Sequence, residues 1–269
     1  MLSPGMELVD SHCHLDFPVF SSDLPDVVDR ATRSGIARMV TIATSLSSEP
    51  EVRAIAERFD PVFYAAGTHP HRVAQEPMVS VDDLILVSRH PKMIAIGESG
   101  LDYHYTRELA KLQKASLRVH IDAARATGLP LVVHARAADD DIGSILKQEF
   151  ENAPFKCVMH CYSSSAALAE LAVRMGFYLS MSGIVTFRNA EALRAIFSKV
   201  PVEQVLVETD APYLAPVPFR GKTNEPSYTM HTAAVGANLF GMTLDEFASV
   251  TTRNFDRLFD KASAKGVDE

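Results

Sequence analysis

In the stretch LVDSHCHLD, His12 and His14 stand two residues apart at the end of an apolar run. Polar residues close other apolar runs in the same way: His69 and His71, Glu98, His134, His160, and Glu208 with Asp210. Singly, each has an ordinary structural explanation, because a lone strand-end histidine is usually a hydrogen-bonded structural residue and a lone glutamate there is usually solvated. Repetition at the ends of several runs is much harder to explain that way. The imidazoles of His12, His14, His134 and His160 and the carboxylates of Glu98 and Asp210 form a nitrogen and oxygen donor set suited to Zn2+, Mn2+ or Mg2+. Such a set exceeds what one catalytic ion needs while keeping a position open for water. Two divalent ions ~3.5–4 Å apart, sharing a carboxylate and a hydroxide, would use all of it. No lysine occupies these run ends to serve as a modified bridging group, so Glu98 is assigned as the bridge. Cys13 alternates with the two histidines, which predicts that it faces the other way and packs. Neither HCH nor Cys157 and Cys161 beside His160 shows the paired-cysteine spacing of a structural zinc site.

Positioning these residues requires short strands that end together. Eight β-branched runs recur along the chain: ELVDSHC, RMVTIAT, VFYAAGT, MIAIGES, PLVVHAR, FKCVMHC, FYLSMSG and VLVETDA. Helix-like segments separate them, with start signals at Ser48 before Pro50 and at Thr106, and stop signals at Gly35, Gly128 and Gly176. After the eighth run comes a Pro- and Gly-containing loop over 210–228, then two terminal helices, the second opened by the capping-box spacing of Thr243 and Glu246. Eight strand–helix repeats over ~250 residues match a (β/α)8 barrel, although an open doubly wound sheet has the same local pattern. Neither GxGxxG after the first strand nor GxxxxGK[ST] occurs, so both common nucleotide-binding signatures are missing. The working assumption is one domain over 1–269, with residues 1–7 as a possible leader, of which Met1–Gly5 would be added sequence if Met6 is the original start.

Composition narrows the function classes. With 47% hydrophobic residues in 269, the chain can bury a substantial core. A net charge of −8 argues against broad coating of nucleic acid, while leaving room for a local phosphate-binding cleft. Three cysteines cannot all pair, which suits a reducing cytoplasm. No run reaches the roughly 18 uncharged apolar residues of a membrane helix, and no association motif argues against a monomer.

The residues resemble the TatD-type family of metal-dependent deoxyribonucleases, within the amidohydrolase-like TIM barrels. The matching stretches are DSHCHLD, GTHPH, IGESGLDYH, PLVVHAR, VMHCYS, YLSMSGIVTF, LVETDAPYLAPVPFRGKTNEP and TTRNFDRLF, in order from Val9 to Phe259. The resemblance implies a single (β/α)8 TIM barrel with His12, His14 and Asp210 on one ion, His134 and His160 on the other, and Glu98 between. It also implies phosphodiester hydrolysis on DNA, typically removal of nucleotides from a 3′ end. Departures from the family's commoner pattern are Ala135, where serine or threonine often stands, and HCYSSS for HCFSGS or HCFTGS. These bear on substrate preference and loop shape rather than on any expected ligand.

The expected mechanism uses a two-metal-activated hydroxide, with Asp210 orienting it and accepting its proton. His69, Arg136, Arg220 and Lys222 are the candidates for contacting the phosphate, Arg136 because it lies two residues beyond His134 and suits bidentate contact. His71 is equally a loop histidine, and Glu208 is a candidate to support a histidine ligand. The nearest alternatives are hydrolysis of a small amide or ester, or of RNA or a small phosphodiester. A non-catalytic module holding a structural ion fits the donor set poorly.

Overall fold

The structure, a computed structural model, describes residues 2–3 and 5–263. Each apolar run becomes a parallel strand: β1 (Leu8–Cys13), β2 (Ile36–Ala43), β3 (Val62–Ala66), β4 (Met93–Asp102), β5 (Leu131–Arg136), β6 (Cys157–Met159), β7 (Tyr178–Met181) and β8 (Val205–Val207). The strands pair in chain order. Beyond β8 the chain returns to β1 through a parallel bridge between Cys13 and Ala211. There the Asp210 N–H donates to the His12 carbonyl at 2.9 Å and the His14 N–H donates to the Ala211 carbonyl at 2.8 Å. Pairing in sequence order with first and last edges in contact is a (β/α)8 barrel and excludes the doubly wound sheet.

Helices α1 (Leu24–Arg33), α2 (Glu49–Arg58), α3 (Val81–Ser88), α4 (Ala110–Thr127), α5 (Asp139–Asn152), α6 (Ala166–Arg174) and α7 (Glu191–Phe197) join successive strands. The chain ends with α8 (Thr229–Phe240), α9 (Leu244–Leu258) and a short α10 (Asp260–Ser263), one helix more than expected. Gly128 stops α4 in the left-handed region at φ 72°, and the Thr243–Glu246 capping box opens α9. Two start signals act differently from expectation. Ser48 occupies the N-cap position of α2, yet its hydroxyl donates to the Ser45 carbonyl. Thr106 precedes a short 3-10 turn over Arg107–Leu109 rather than α4 itself, and its hydroxyl donates to the Asp102 carbonyl at 3.2 Å.

The inner face of the barrel is apolar toward its lower end. Val9, Val40, Ile42, Phe63, Ile94, Val132, Val158 and Leu206 pack there against Phe255, Leu258 and Phe259, so α9 and the turn after it seal that end. The polar groups are left to gather at the opposite end, where strands run out into the loops that precede the helices. Of the leader expected over residues 1–7, Met1 and Pro4 lie outside the described residues, and the Ser3 N–H donates to Asp245 of α9. Among the described residues no helix is long and apolar enough to cross a membrane.

Candidate metal centre

Irregular backbone sets the site. The pairing of β1 with β2 shifts register between Asp10 and Cys13, and that of β4 with β5 shifts between Ile96 and Ser99. A register shift re-aims the side chains within it, and these two enclose His12 and Glu98. The turn at Glu98 is tight enough to demand glycine. Gly97 has φ 121°, and a β-carbon there would lie 2.6 Å from the Val132 carbonyl oxygen.

Glu98, fully within the barrel mouth and buried, is the centre of the group. Its Oε1 lies 2.7 Å from His160 Nε2, 3.1 Å from His134 Nδ1 and 3.5 Å from His69 Nε2. Its Oε2 lies 3.4 Å from His12 Nε2. On the other side, Asp210 Oδ1 is 3.4 Å from His14 Nε2 and 3.7 Å from His12 Nε2. Donor atoms thus fall into three overlapping groups, each within 4.8 Å: His12, His14 and Asp210; His12, Glu98 and His160; His69, Glu98 and His134.

The second nitrogen of each imidazole decides whether the first is free to bind a cation. His14 Nδ1 lies 3.2 Å from the Ile42 carbonyl, an acceptor only, so Nδ1 carries a proton and Nε2, facing Asp210, is the nitrogen that would take a cation in place of its own proton. His160 Nδ1 is 3.3 Å from Glu208 Oε1, which also accepts from the Cys161 N–H at 2.7 Å. His134 Nε2 is 3.2 Å from Asp102 Oδ2. Among the described residues, both ring nitrogens of buried His12, like Glu208 Oε2, have no hydrogen-bond partner. A buried polar atom left unpaired is costly, and a cation among these donors removes that cost for His12 Nε2, the nitrogen that faces Glu98 and Asp210. The residues therefore fit a divalent metal centre, with the outer nitrogens of His14, His134 and His160 held as those of metal-binding histidines usually are.

Burial opposes charge on every member, and the neighbours decide the outcome. Desolvation pushes His69 down to about 3 and, with the charge of His160, lowers His12. Burial would lower His14 too, but its bond to Asp210 and that carboxylate's charge carry it up to about 9. His160 is raised well above the ordinary histidine value because Glu98 and Glu208 outweigh burial. Glu98, despite its burial, is held well below the carboxylate range by His160, His69 and His12. Asp210 is likewise lowered against burial, chiefly by its bond to His14.

All the expected ligands, His12, His14, Glu98, His134, His160 and Asp210, are brought together, and His69 joins them rather than standing apart. Glu208 reaches His160. His71 turns to Asp102, with Nε2 2.8 Å from Oδ2. Cys13 is buried, with its thiol 3.4 Å from the Val40 carbonyl, among the core residues. Among the described residues, the contacts of Arg136, Arg220 and Lys222 do not reach the centre. Arg136 is at the end of β5, where Ala137 turns to φ 53°, and its guanidinium lies 4.8 Å from the Tyr105 ring centroid. Arg220 and Lys222 rest on the rings of Phe187 and Phe219.

Three functional residues escape the sequence reading. Asp102 joins His71 to His134. Asp10 accepts from the Thr209 hydroxyl at 2.6 Å and the Thr209 N–H at 2.9 Å, fastening β1 to the segment that carries Asp210. Asn224 donates to the carbonyls of Thr209 and Tyr213, closing the loop after β8. Even spacing was the available signal: Asp102 lies four residues beyond Glu98, and Asp10 two before His12. Of the departures at HCYSSS, Tyr162 has a local outcome, since its hydroxyl donates to the carbonyl of Ser165, the residue that caps α6 by accepting from the Leu168 N–H.

Comparison with known proteins agrees with this geometry. The family model described as TatD related DNase matches residues 9–260. The chain belongs to the TatD family. It is 40% identical over 257 residues to the uncharacterized metal-dependent hydrolase YcfH of Escherichia coli, covering 94% of this chain and 96% of that one. It is 38% identical over 255 residues to the uncharacterized metal-dependent hydrolase YabD of Bacillus subtilis, covering 94% and 98%. The crystal structure of the TatD homologue YjjV from E. coli superposes with a TM-score of 0.87 at 31% identity, over 94% of this chain and 98% of that one. This TatD-family chain is accordingly a metal-dependent hydrolase, and the donor cluster is a group of side chains that could hold its metal.

Proposed function

We propose that this TatD-family hydrolase cleaves phosphodiester bonds of DNA, removing nucleotides from the 3′ ends of single strands. Two divalent ions, Mg2+, Mn2+ or Zn2+, would be held by His12, His14 and Asp210 and by His134 and His160, with Glu98 between them. The observation that carries this reading is the disposition of Glu98, whose two oxygens face imidazoles on different sides, His160 and His134 against Oε1 and His12 against Oε2. Bound divalent ions supply Lewis acidity toward phosphoryl oxygens and acidify water.

The protein's own groups account for the remaining steps. Asp210 is kept ionised by its histidine neighbours and retains 15% side-chain exposure, so it can reach a water in the mouth and accept its proton. Glu208 and Asp102 orient His160 and His134 from behind. Arg136, braced on Tyr105, offers a planar fork for phosphate at the rim. Arg220 and Lys222 add positive charge to the loop after β8 of an otherwise acidic molecule, which suits recognition of a strand end more than coating of a long polymer.

The test offers the metal-loaded protein a 3′-labelled DNA strand, RNA of the same sequence, and a cyclic amide. Release of labelled mononucleotide from DNA is the expected result. Turnover of the amide with both nucleic acids untouched would reject the phosphodiester reading.

A further inference from the structure

Two exposed tyrosines stand on opposite sides of the mouth. Tyr105 lies in the loop after β4 and Tyr213 in the segment after β8, and in a barrel whose eight strands pair in order these strands are half a turn apart. The two residues are 60% and 54% exposed, unusual for large apolar residues so near a buried centre. Yet their backbones are pinned to that centre. The Tyr105 N–H donates to Asp102 Oδ1 at 2.9 Å, and the Tyr213 N–H donates to the Asp210 carbonyl at 2.9 Å while its carbonyl accepts from Asn224 at 2.6 Å.

Each ring is also braced. Tyr105 has the Arg136 guanidinium 4.8 Å from its centroid and the edge of His71 at 5.5 Å. Tyr213 meets the edge of Phe17 at 5.8 Å, and Phe17 is stacked on His14 at 4.8 Å. Contacts therefore run from each ring into one side of the donor cluster. A planar apolar surface held rigid beside a phosphate-cleaving centre, with a cation at one of the two rings, has the chemistry of a platform for single-stranded nucleic acid, on which bases stack with little regard to sequence.

We infer that Tyr105 and Tyr213 stack the bases on either side of the scissile phosphodiester, so that the substrate is a single strand carrying a base on each side of the cleaved bond. This rests on the phosphodiester reading above. A duplex end, whose bases are already stacked and paired, cannot fill both platforms without fraying.

The experiment compares wild type, Tyr105→Ala, Tyr213→Ala and the corresponding Phe variants on two 3′-labelled strands. One is oligothymidylate; the other is the same strand with tetrahydrofuran residues, which lack a base, at its last two positions. On the normal strand each Ala variant should raise KM about tenfold or more, within the ~5- to 150-fold range expected for one stacked base, with a smaller change in kcat. The Phe variants should restore KM, because the ring and not the hydroxyl does the stacking. On the tetrahydrofuran strand wild type should already show the raised KM, and the Ala variants should add nothing. Wild-type KM for both Ala variants on the normal strand, or an equal loss on the two strands, would overturn the inference while leaving phosphodiester cleavage intact. A wild type inert toward both strands would sink the phosphodiester reading and this inference with it.

Discussion

Glu98 and Asp210 can be separated by experiment because they sit differently in the cluster. Glu98 faces imidazoles through both oxygens, so Glu98→Ala should abolish tight divalent-ion binding and turnover together, read by metal analysis of the dialysed protein beside a nuclease assay. Asp210→Asn should keep part of the metal while kcat falls by about 10² or more, the usual scale for a lost proton acceptor. Unchanged kcat in the metal-loaded Asp210→Asn protein would remove Asp210 from that role. His14 gives the pH dependence of metal uptake. Asp210 carries its pKa up to about 9, so a proton competes for the imidazole at lower pH. Metal affinity should therefore rise with pH as far as about 9, with protons released on binding; isothermal titration in buffers of different ionisation enthalpy measures this. Single residues were legible where they close an apolar run, which is why His12, His14, Glu98, His134, His160 and Asp210 can be picked from sequence. Asp102 was not, because β4 continues past Ser99, where its apolar pattern stops. Spacing alone does not set the direction of Arg136, because the strand ends at that residue and its guanidinium lies over the Tyr105 ring at the rim.

At the scale of elements, the strands were readable and their end geometry was not. β-branched runs mark all eight strands, but nothing in LVDSHC or AIGESG announces a register shift, which depends on how neighbouring strands pair. Thr106 looked like a helix start because its local pattern is that of a cap, whereas Gln113 of α4 draws it back toward β4 through a hydrogen bond of 2.7 Å. α4 also holds the loop that carries His69 and His71. Buried His120 accepts from the Thr68 N–H at 2.9 Å through Nε2, and its Nδ1 lies 2.8 Å from the Ser116 carbonyl, so it must be neutral. Desolvation lowers its pKa to about 4. A histidine depressed in the folded state takes up its proton more readily when unfolded, so the protein should lose stability as pH falls from about 6.5 to about 4, by on the order of 3 kcal/mol from this residue. His120→Gln should flatten that part of the urea-denaturation stability profile relative to wild type. An unchanged slope would mean that His120 does not titrate between the two states in that range.

For the whole molecule, the division of labour runs along the barrel axis, with apolar packing at the end covered by α9 and chemistry at the other. The amphipathic pattern of α9 shows in the sequence that one face is buried, but not that the buried face plugs a barrel, because that partner is assembled from seven different strands. Phe255, fully buried in that plug, should cost about 3–5 kcal/mol when replaced by alanine, measured as a shift in the denaturation midpoint. Metal content of the folded Phe255→Ala protein should be unaffected, since the centre lies at the far end. The most direct test of the account is a stoichiometric one: titrate the chelator-treated protein with Mn2+ while following release of 3′-labelled mononucleotide from a single DNA strand. The account predicts no release without metal and a rate that climbs until two equivalents are bound. Undiminished release from the metal-free protein, or no release at any metal loading, would contradict it.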